Sequence, residues 1–374
     1  MTLSIDKVNH IQKQGIAILQ DDASPERRAV LVTRAHDITA QTVNQLLEVT
    51  GGHLFVGISA ARAQAFEIER MTRRYSQLAE RSTDSACQMC VSVEAREGVT
   101  TGISAADRAT TIRTLAAEVP HPRKIVKPGH LFPVVVRAGG VLVRNSLAEG
   151  AFDLAQICWG NAPNSDAVVF IDLLGSDGNF LSDQEQANLA REKSWSLVSL
   201  GDLVVYRLEH ENLVYKIAEA KLPSHLATGL KTYIYKSKVH TGEHLALVKG
   251  EIDSSLPVLT RVQPEFTLSD VFGGHTPPSR HQLHMALQAI EANGSGVLIY
   301  LRRPTSGYLQ KQVECWRRQF DAKPAAMMRE YGMGAQILRD LGVRKIELLT
   351  SNPKSLGGLE TFGIEIVGHR PIMT

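Results

Sequence analysis

Cysteine is scarce, with Cys87, Cys90, Cys158 and Cys315 spread through a chain of 374 residues. That sparsity excludes a disulfide framework and suits a reducing compartment. An excess of either charge is also missing: 41 basic and 39 acidic residues are interspersed. The chain therefore carries no electrostatic footprint for nucleic acid or for a membrane surface. Long apolar runs are absent, and no segment approaches the roughly 20 apolar residues of a transmembrane helix. The stretch from Met1 to Gln20 places Asp6, Lys7, His10 and Lys13 among its apolar residues. It lacks the uninterrupted core of a signal peptide, so a cytoplasmic location is expected. Aromatics make up only 6 % of the chain, and the abundant aliphatics suit an α/β protein.

What is present is a chain long enough for two domains, each with its own core. Apolar runs alternate with helical periodicity in both halves, which predicts an α/β (α+β) class. In the first half, strands are expected at Ala29 to Thr33, His53 to Ile58, Met89 to Glu94, Leu131 to Val136 and Val168 to Leu173. Helices are expected at Ala40 to Val49, Ala105 to Ala117, Gly150 to Ile157 and Asp183 to Lys193. The strand-like Leu203 to Leu208 then runs into the polar Glu209-His210-Glu211-Asn212, which sets domains at 1–209 and 213–374. In the second half, strands are expected at 231–236, 243–248, 258–262, 296–301 and 345–349, and helices at 280–292 and 335–341. Gly294 and Gly342 fall where helix C-termini favour glycine.

The richest local pattern is Thr100-Thr101-Gly102-Ile103-Ser104-Ala105-Ala106-Asp107-Arg108. Ser104 and Asp107 have capping-box spacing, so a helix begins there and points its N–H groups at the Thr-Thr-Gly turn. A helix N-terminus favours an anion, and Arg108 adds a full positive charge. The same pattern also occurs at helices that bind nothing, so spacing leaves both readings open.

Three ordered motifs resemble 3,4-dihydroxy-2-butanone 4-phosphate synthase. They are the run from Val99 to Arg108, Lys127-Pro-Gly-His-Leu-Phe-Pro133, and Gly139-Gly-Val-Leu-Val-Arg144 followed by Glu149 and Asp153-Leu154. The second half resembles GTP cyclohydrolase II through Glu243 to Gly250, Tyr331 to Leu338 and Leu348 to Lys354. The order is that of the bifunctional riboflavin-pathway fusion. For the first half the resemblance implies phosphate or substrate contacts at Thr101, Ser104, Asp107, Arg108, Arg144 and Glu149. It also implies a homodimer, because that family builds its site near a dimer interface. Arg108 and Arg144 have a second reading as structural partners of carboxylates such as Asp107 and Glu149.

The departures are chemical. The family's acidic loop reads here Asp21-Asp22-Ala23-Ser24-Pro25-Glu26-Arg27-Arg28-Ala29-Val30, which keeps Glu26 and puts Arg28 where an acid stands. Leu147 replaces the metal-ligating histidine, Phe55 a substrate-site cysteine, and Asp172 a glutamate. Magnesium needs oxygen ligands, so its ligand set is incomplete. In the second half, Gln263 to Phe266 and Thr276 to Arg280 occupy the zinc-cysteine stretches without a thiol, so no zinc is expected. The expectation is therefore a protein that binds a small sugar phosphate while its ordinary synthase and cyclohydrolase activities are lost. Any repurposed lyase or isomerase chemistry would use Glu26, His130 and Asp172 as acid–base groups. The alternatives are a non-catalytic scaffold of flavin-pathway enzymes and a still active synthase on ribulose 5-phosphate.

Cys87-Gln-Met-Cys90 has C-x-x-C spacing but no second pair, and it leads into a strand, which favours a core role. His275, His281 and His284 could form a substitute metal site or face solvent. His36-Asp37 could form a relay, with Asp37 as a helix cap the plainer reading.

Overall fold

The computed structural model describes residues 3–71, 89–160, 166–238, 242–275, 277–302, 308–317, 324–350 and 363–372. The chain divides into two units, Met1–Val204 and Val205–Thr374. The first contains α1 (Ile5–Gln14), β1 (Ile16–Gln20), β2 (Ala29–Arg34), α2 (Ala40–Val49), β3 (Leu54–Ile58), α3 (Ala60–Ala65), β4 (Val93–Ala95) and α4 (Ala105–Leu115). It continues with β5 (Ile125–Val135), α5 (Leu147–Trp159), β6 (Ala167–Asp172), α6 (Asp183–Lys193) and β7 (Ser196–Ser199). Helix α7 (Leu200–His210) carries the division between the units.

The first sheet runs β4-β5-β3-β6-β2-β1-β7. Its central strands are apolar on both faces, since helices cover both sides. Ile18, Leu31, Leu54, Val56, Leu131, Val169 and Ile171 join Val43 and Leu46 of α2 and Ala109, Ile112 and Leu115 of α4 in one core. Helix α5 packs against β1, β2, β3 and β6. Alternation along the strands then assigns Phe55, Phe170, Val30 and Val32 to the other face, where Phe55 pairs across the sheet with both Phe132 and Phe170.

The second unit has its own sheet, ordered β14-β13-β11-β12-β10-β9-β8. These strands are β8 (Val214–Leu222), β9 (Leu230–Ser237), β10 (Glu243–Lys249), β11 (Val258–Pro264), β12 (Gly296–Leu301), β13 (Lys345–Leu349) and β14 (Glu365–Arg370). Its helices are α8 (Thr267–Asp270), α9 (Ser279–Asn293), α10 (Tyr308–Arg317) and α11 (Pro324–Asp340). Gly294 ends α9 in the left-handed region at φ 77°, and Gly342 takes φ 85° beyond α11.

Local patterns locate most elements, with instructive differences. Leu203 to Leu208 is helical within α7, because Leu200, Leu203, Val204 and Leu208 bury one helical stripe. Helix α2 is capped by Thr39, which accepts from the Thr42 amide at 3.1 Å, while Asp37 pairs with Arg34 at 2.9 Å. The capping role expected of Asp37 therefore belongs to Thr39. Cys90 is buried, and burial pushes its thiol upward, away from the thiolate that redox work needs. Cys87 lies outside the described residues.

Candidate active site

The Thr100–Ser104 turn is held together by Asp107. Its carboxylate accepts from the Thr100 amide (3.2 Å), the Thr100 hydroxyl (2.9 Å) and the Gly102 amide (3.0 Å). Ser104 caps α4 by accepting from the Asp107 amide at 3.1 Å. The capping spacing therefore gives a helix start, but the acid turns inward to tie the loop instead of reciprocating at the cap. Burial alone would raise the Asp107 pKa; the bonds from Thr100, Gly102 and Ser104 outweigh it and hold the carboxyl low. Asp107 thus shapes the cradle, and its ionised carboxylate is a poor phosphate contact. Thr101 and Ser104 are exposed at the turn, and the Arg108 Nε is buried with no hydrogen-bond partner among the described residues.

Glu94 lies directly beneath this turn. A Cβ placed on Gly102, which sits at φ 79°, would collide with the Glu94 carboxylate. Only glycine supplies both that backbone angle and that space. Glu94 Oε2 meets His130 Nδ1 at 3.3 Å, so His130 is coupled to the cradle through Glu94. Two residues along β5 from His130 stands Phe132, whose ring centroid is 4.9 Å from that of His53. His53 also packs on Phe55 at 4.7 Å, and Phe55 stacks on Phe170 at 5.2 Å.

The row continues across the sheet end. The Asp172 amide bonds the His53 carbonyl at 3.4 Å, and Asp172 pairs in register with Val30. Arg28, two residues before Val30, places its guanidinium 4.9 Å above the Phe180 ring. Burial raises the Asp172 pKa, against the opposing pull of the Arg28 and His53 charges. Asp21 is raised in the same way by burial, with the amides of Ala23 and Ser24 and the Arg28 charge pulling it down. Two half-buried carboxylates with raised proton affinity thus share one cation, an arrangement suited to acid–base exchange.

Glu26 is exposed in the loop between β1 and β2, and its backbone amide donates to the Ser24 hydroxyl at 3.3 Å. Arg144 is 8 % exposed and Glu149 fully buried, and the two face each other at 3.4 Å. Glu149 also accepts from the Arg137 amide at 3.1 Å and from the Ser146 hydroxyl. The expected site residues therefore divide. Asp172 and His130 lie along the row that reaches the cradle, whereas Arg144 and Glu149 are occupied with each other at the start of α5. Asp21, Arg28, His53, Glu94 and Phe180 were not among the expected site residues. Asp21 and Arg28 both stand in the aligned acidic loop, which is a weak signal; His53, Glu94 and Phe180 come to the row only through the fold.

Among the described residues, no group of three or more His, Cys, Asp and Glu side chains is placed to hold a metal. Around the acidic loop Arg28 adds positive charge, Leu147 offers no donor, and Glu149 is engaged. The set does not fit Mg²⁺. In the second unit, the expected zinc region is filled by hydrogen bonds. Ser279 and Tyr300 donate to Asp270 at 2.5 and 2.6 Å, the Phe266 amide donates to it at 2.7 Å, and Gln263 Nε2 donates to the Ser279 hydroxyl at 2.5 Å. That donor set does not fit a three-thiolate zinc centre.

A family model described as 3,4-dihydroxy-2-butanone 4-phosphate synthase matches residues 6–206, and one described as GTP cyclohydrolase II matches residues 215–371. The riboflavin biosynthesis protein RibBA of Bacillus cereus is 35 % identical over 98 % of this chain and 92 % of its own. The chain belongs to the RibBA family of riboflavin biosynthesis proteins. The Aquifex aeolicus RibBA is 34 % identical, covering 98 % of this chain and 91 % of its own. The crystal structure of RibBX, a two domain 3,4-dihydroxy-2-butanone 4-phosphate synthase from A. baumannii, superimposes with a TM-score of 0.77. That pair is 26 % identical, and 98 % of each chain is covered.

Membership in the RibBA family corrects two expectations. The reading of lost activities, with chemistry repurposed or reduced to a scaffold, is overturned by relatives that match nearly end to end and by a two-domain neighbour that is a synthase. The exclusion of GTP cyclohydrolase II activity is overturned by the match over residues 215–371 and by the full-length relatives. The reason is one of scope. Departures in short motifs speak for single ligands, whereas identity spread over the whole chain speaks for the family's two-part architecture. No helix among the described residues is long and apolar enough to cross a membrane.

Proposed function

We propose that the first unit is a working 3,4-dihydroxy-2-butanone 4-phosphate synthase, a lyase that acts on ribulose 5-phosphate with release of formate. The observation that carries this reading is the row of groups along one sheet end, from the carboxylates of Asp21 and Asp172 around Arg28 to the Thr100–Ser104 cradle. Thr101, Ser104 and Arg108 take the phosphate, with Asp107 holding the turn in shape. Asp172 and Asp21 exchange protons with the sugar carbons and hydroxyls, because raised carboxylates deliver and accept protons nearer to neutral pH. His130, seated on Glu94, and Glu26 of the exposed loop between β1 and β2 complete the acid–base set. Arg144 and Glu149 hold the start of α5 beside them. The protein acts in the cytoplasm as a homodimer, an assembly that sedimentation velocity tests.

The deciding experiment is formate release from ribulose 5-phosphate, followed with a coupled dehydrogenase. Turnover well above the enzyme-free rate is expected, and Asp172→Asn should lower it by about 10²-fold or more. No formate from the wild-type chain overturns the reading. The second unit is of the GTP cyclohydrolase II type, and loss of GTP followed by chromatography tests it directly.

A further inference from the structure

We propose that the Arg28 guanidinium supplies, to the oxygens of a phosphorylated ketose, the positive charge that a divalent cation would otherwise supply, so that this site holds its substrate without a metal. The inference rests on the synthase reading for the identity of the ketose. Its structural basis is the placement of Arg28. The Arg28 carbonyl accepts from the Asp21 amide at 2.8 Å, which closes the loop between β1 and β2. The side chain lies over Phe180, 4.9 Å from the ring centroid, which fixes the guanidinium plane. Its Nε is buried without a hydrogen-bond partner among the described residues.

A buried N–H without an acceptor is costly, and such groups in native sites usually mark a place where another molecule accepts. The acceptor suited to a guanidinium is a pair of oxygens, as on a diol, an enediolate or a carboxylate. The surroundings exclude a cation from the same place. Arg28 bears on both Asp21 and Asp172, so a second positive ion there meets repulsion. Glu149 is occupied by Arg144, Ser146 and the Arg137 amide, and Leu147 has no donor atom. The carboxylates of Asp21 and Asp172 thus lie in the field of an internal cation, which stays charged at every accessible pH.

The test uses the full chain freed of metal with EDTA and desalted. Ribulose 5-phosphate binding by calorimetry and formate release are both measured with and without added Mg²⁺. Binding to the wild-type chain is expected to change by less than about twofold on adding Mg²⁺, whereas Arg28→Ala should weaken metal-free binding about tenfold or more. Arg28→Lys should regain part of that loss, which a merely structural defect would not allow. Arg28→Glu should bind poorly alone and recover with Mg²⁺, because it restores an acid. Wild-type binding that requires Mg²⁺, or Arg28→Ala binding like the wild type without metal, overturns the proposal, as does absence of binding under both conditions. Metal-free binding that depends on Arg28 without any formate release supports the Arg28 assignment and overturns the synthase reading. Formate release that EDTA abolishes and Mg²⁺ restores does the reverse.

Discussion

Asp107 and Asp172 show how one residue type serves opposite ends at two points of a site. Asp107 is held below the ordinary carboxylate range by its hydrogen bonds, so its contribution to stability is present above the unfolded pKa near 4 and is lost as pH falls through the folded value. Asp107→Asn should therefore melt below the wild type at neutral pH, with the gap closing in acid. Circular dichroism melts across that range check it. Asp172 has the opposite sign: burial raises its pKa, so its contribution is present below the unfolded pKa and is lost as pH rises through the folded one. Asp172→Asn should accordingly melt higher than the wild type near neutral pH while losing turnover, a stability gain at the cost of function. A variant that loses both stability and turnover would show that Asp172 serves packing instead. The Ser104–Asp107 spacing made the first residue legible in the sequence. Nothing local marked the neighbourhood of the second, since Arg28, His53 and Asp172 come from three different strand ends.

The turn and helix α4 form the element to which the proposed function assigns the phosphate. Ser104→Ala removes the N-cap and should cost about 1 kcal/mol, read as a lower denaturant midpoint at unchanged slope. Gly102→Ala meets both the positive φ and the Glu94 carboxylate. It should weaken ribulose 5-phosphate binding about tenfold or more in calorimetry while helix content is kept. Wild-type affinity in that variant would show that the turn does not hold the phosphate. Elements with strong local signals were readable: α2 was expected at Ala40 to Val49 and is found there. Helix α1 carried readable signals too, with Ser4 as N-cap and Gly15 at φ 74° as C-cap, yet it was not expected. The same is true of β1, whose Ile16 to Gln20 is apolar throughout because the sheet buries both of its faces. Leu203 to Leu208 misled because a short apolar run fits a strand or a buried helix equally, and only packing chooses.

At the scale of the whole molecule, each unit has its own seven-stranded sheet among the described residues and its own core. Calorimetry should resolve two unfolding transitions. Tyr300→Phe, which removes the 2.6 Å bond to Asp270, should lower the second unit's stability by about 1 kcal/mol and leave the other transition in place. A single transition that shifts as one would contradict two cooperative units. The sequence by itself determined the two-part α/β plan, the helix start at Ser104 and the absence of cysteine from Gln263 to Phe266 and Thr276 to Arg280, because each is written in composition or in spacings of a few residues. Tertiary structure alone decided that Asp21, Arg28, His53, Asp172 and Phe180 meet. Their proximity follows from the strand order β3-β6-β2-β1, and the partner of a strand is set by burial and hydrogen bonding across the sheet, which no local spacing encodes.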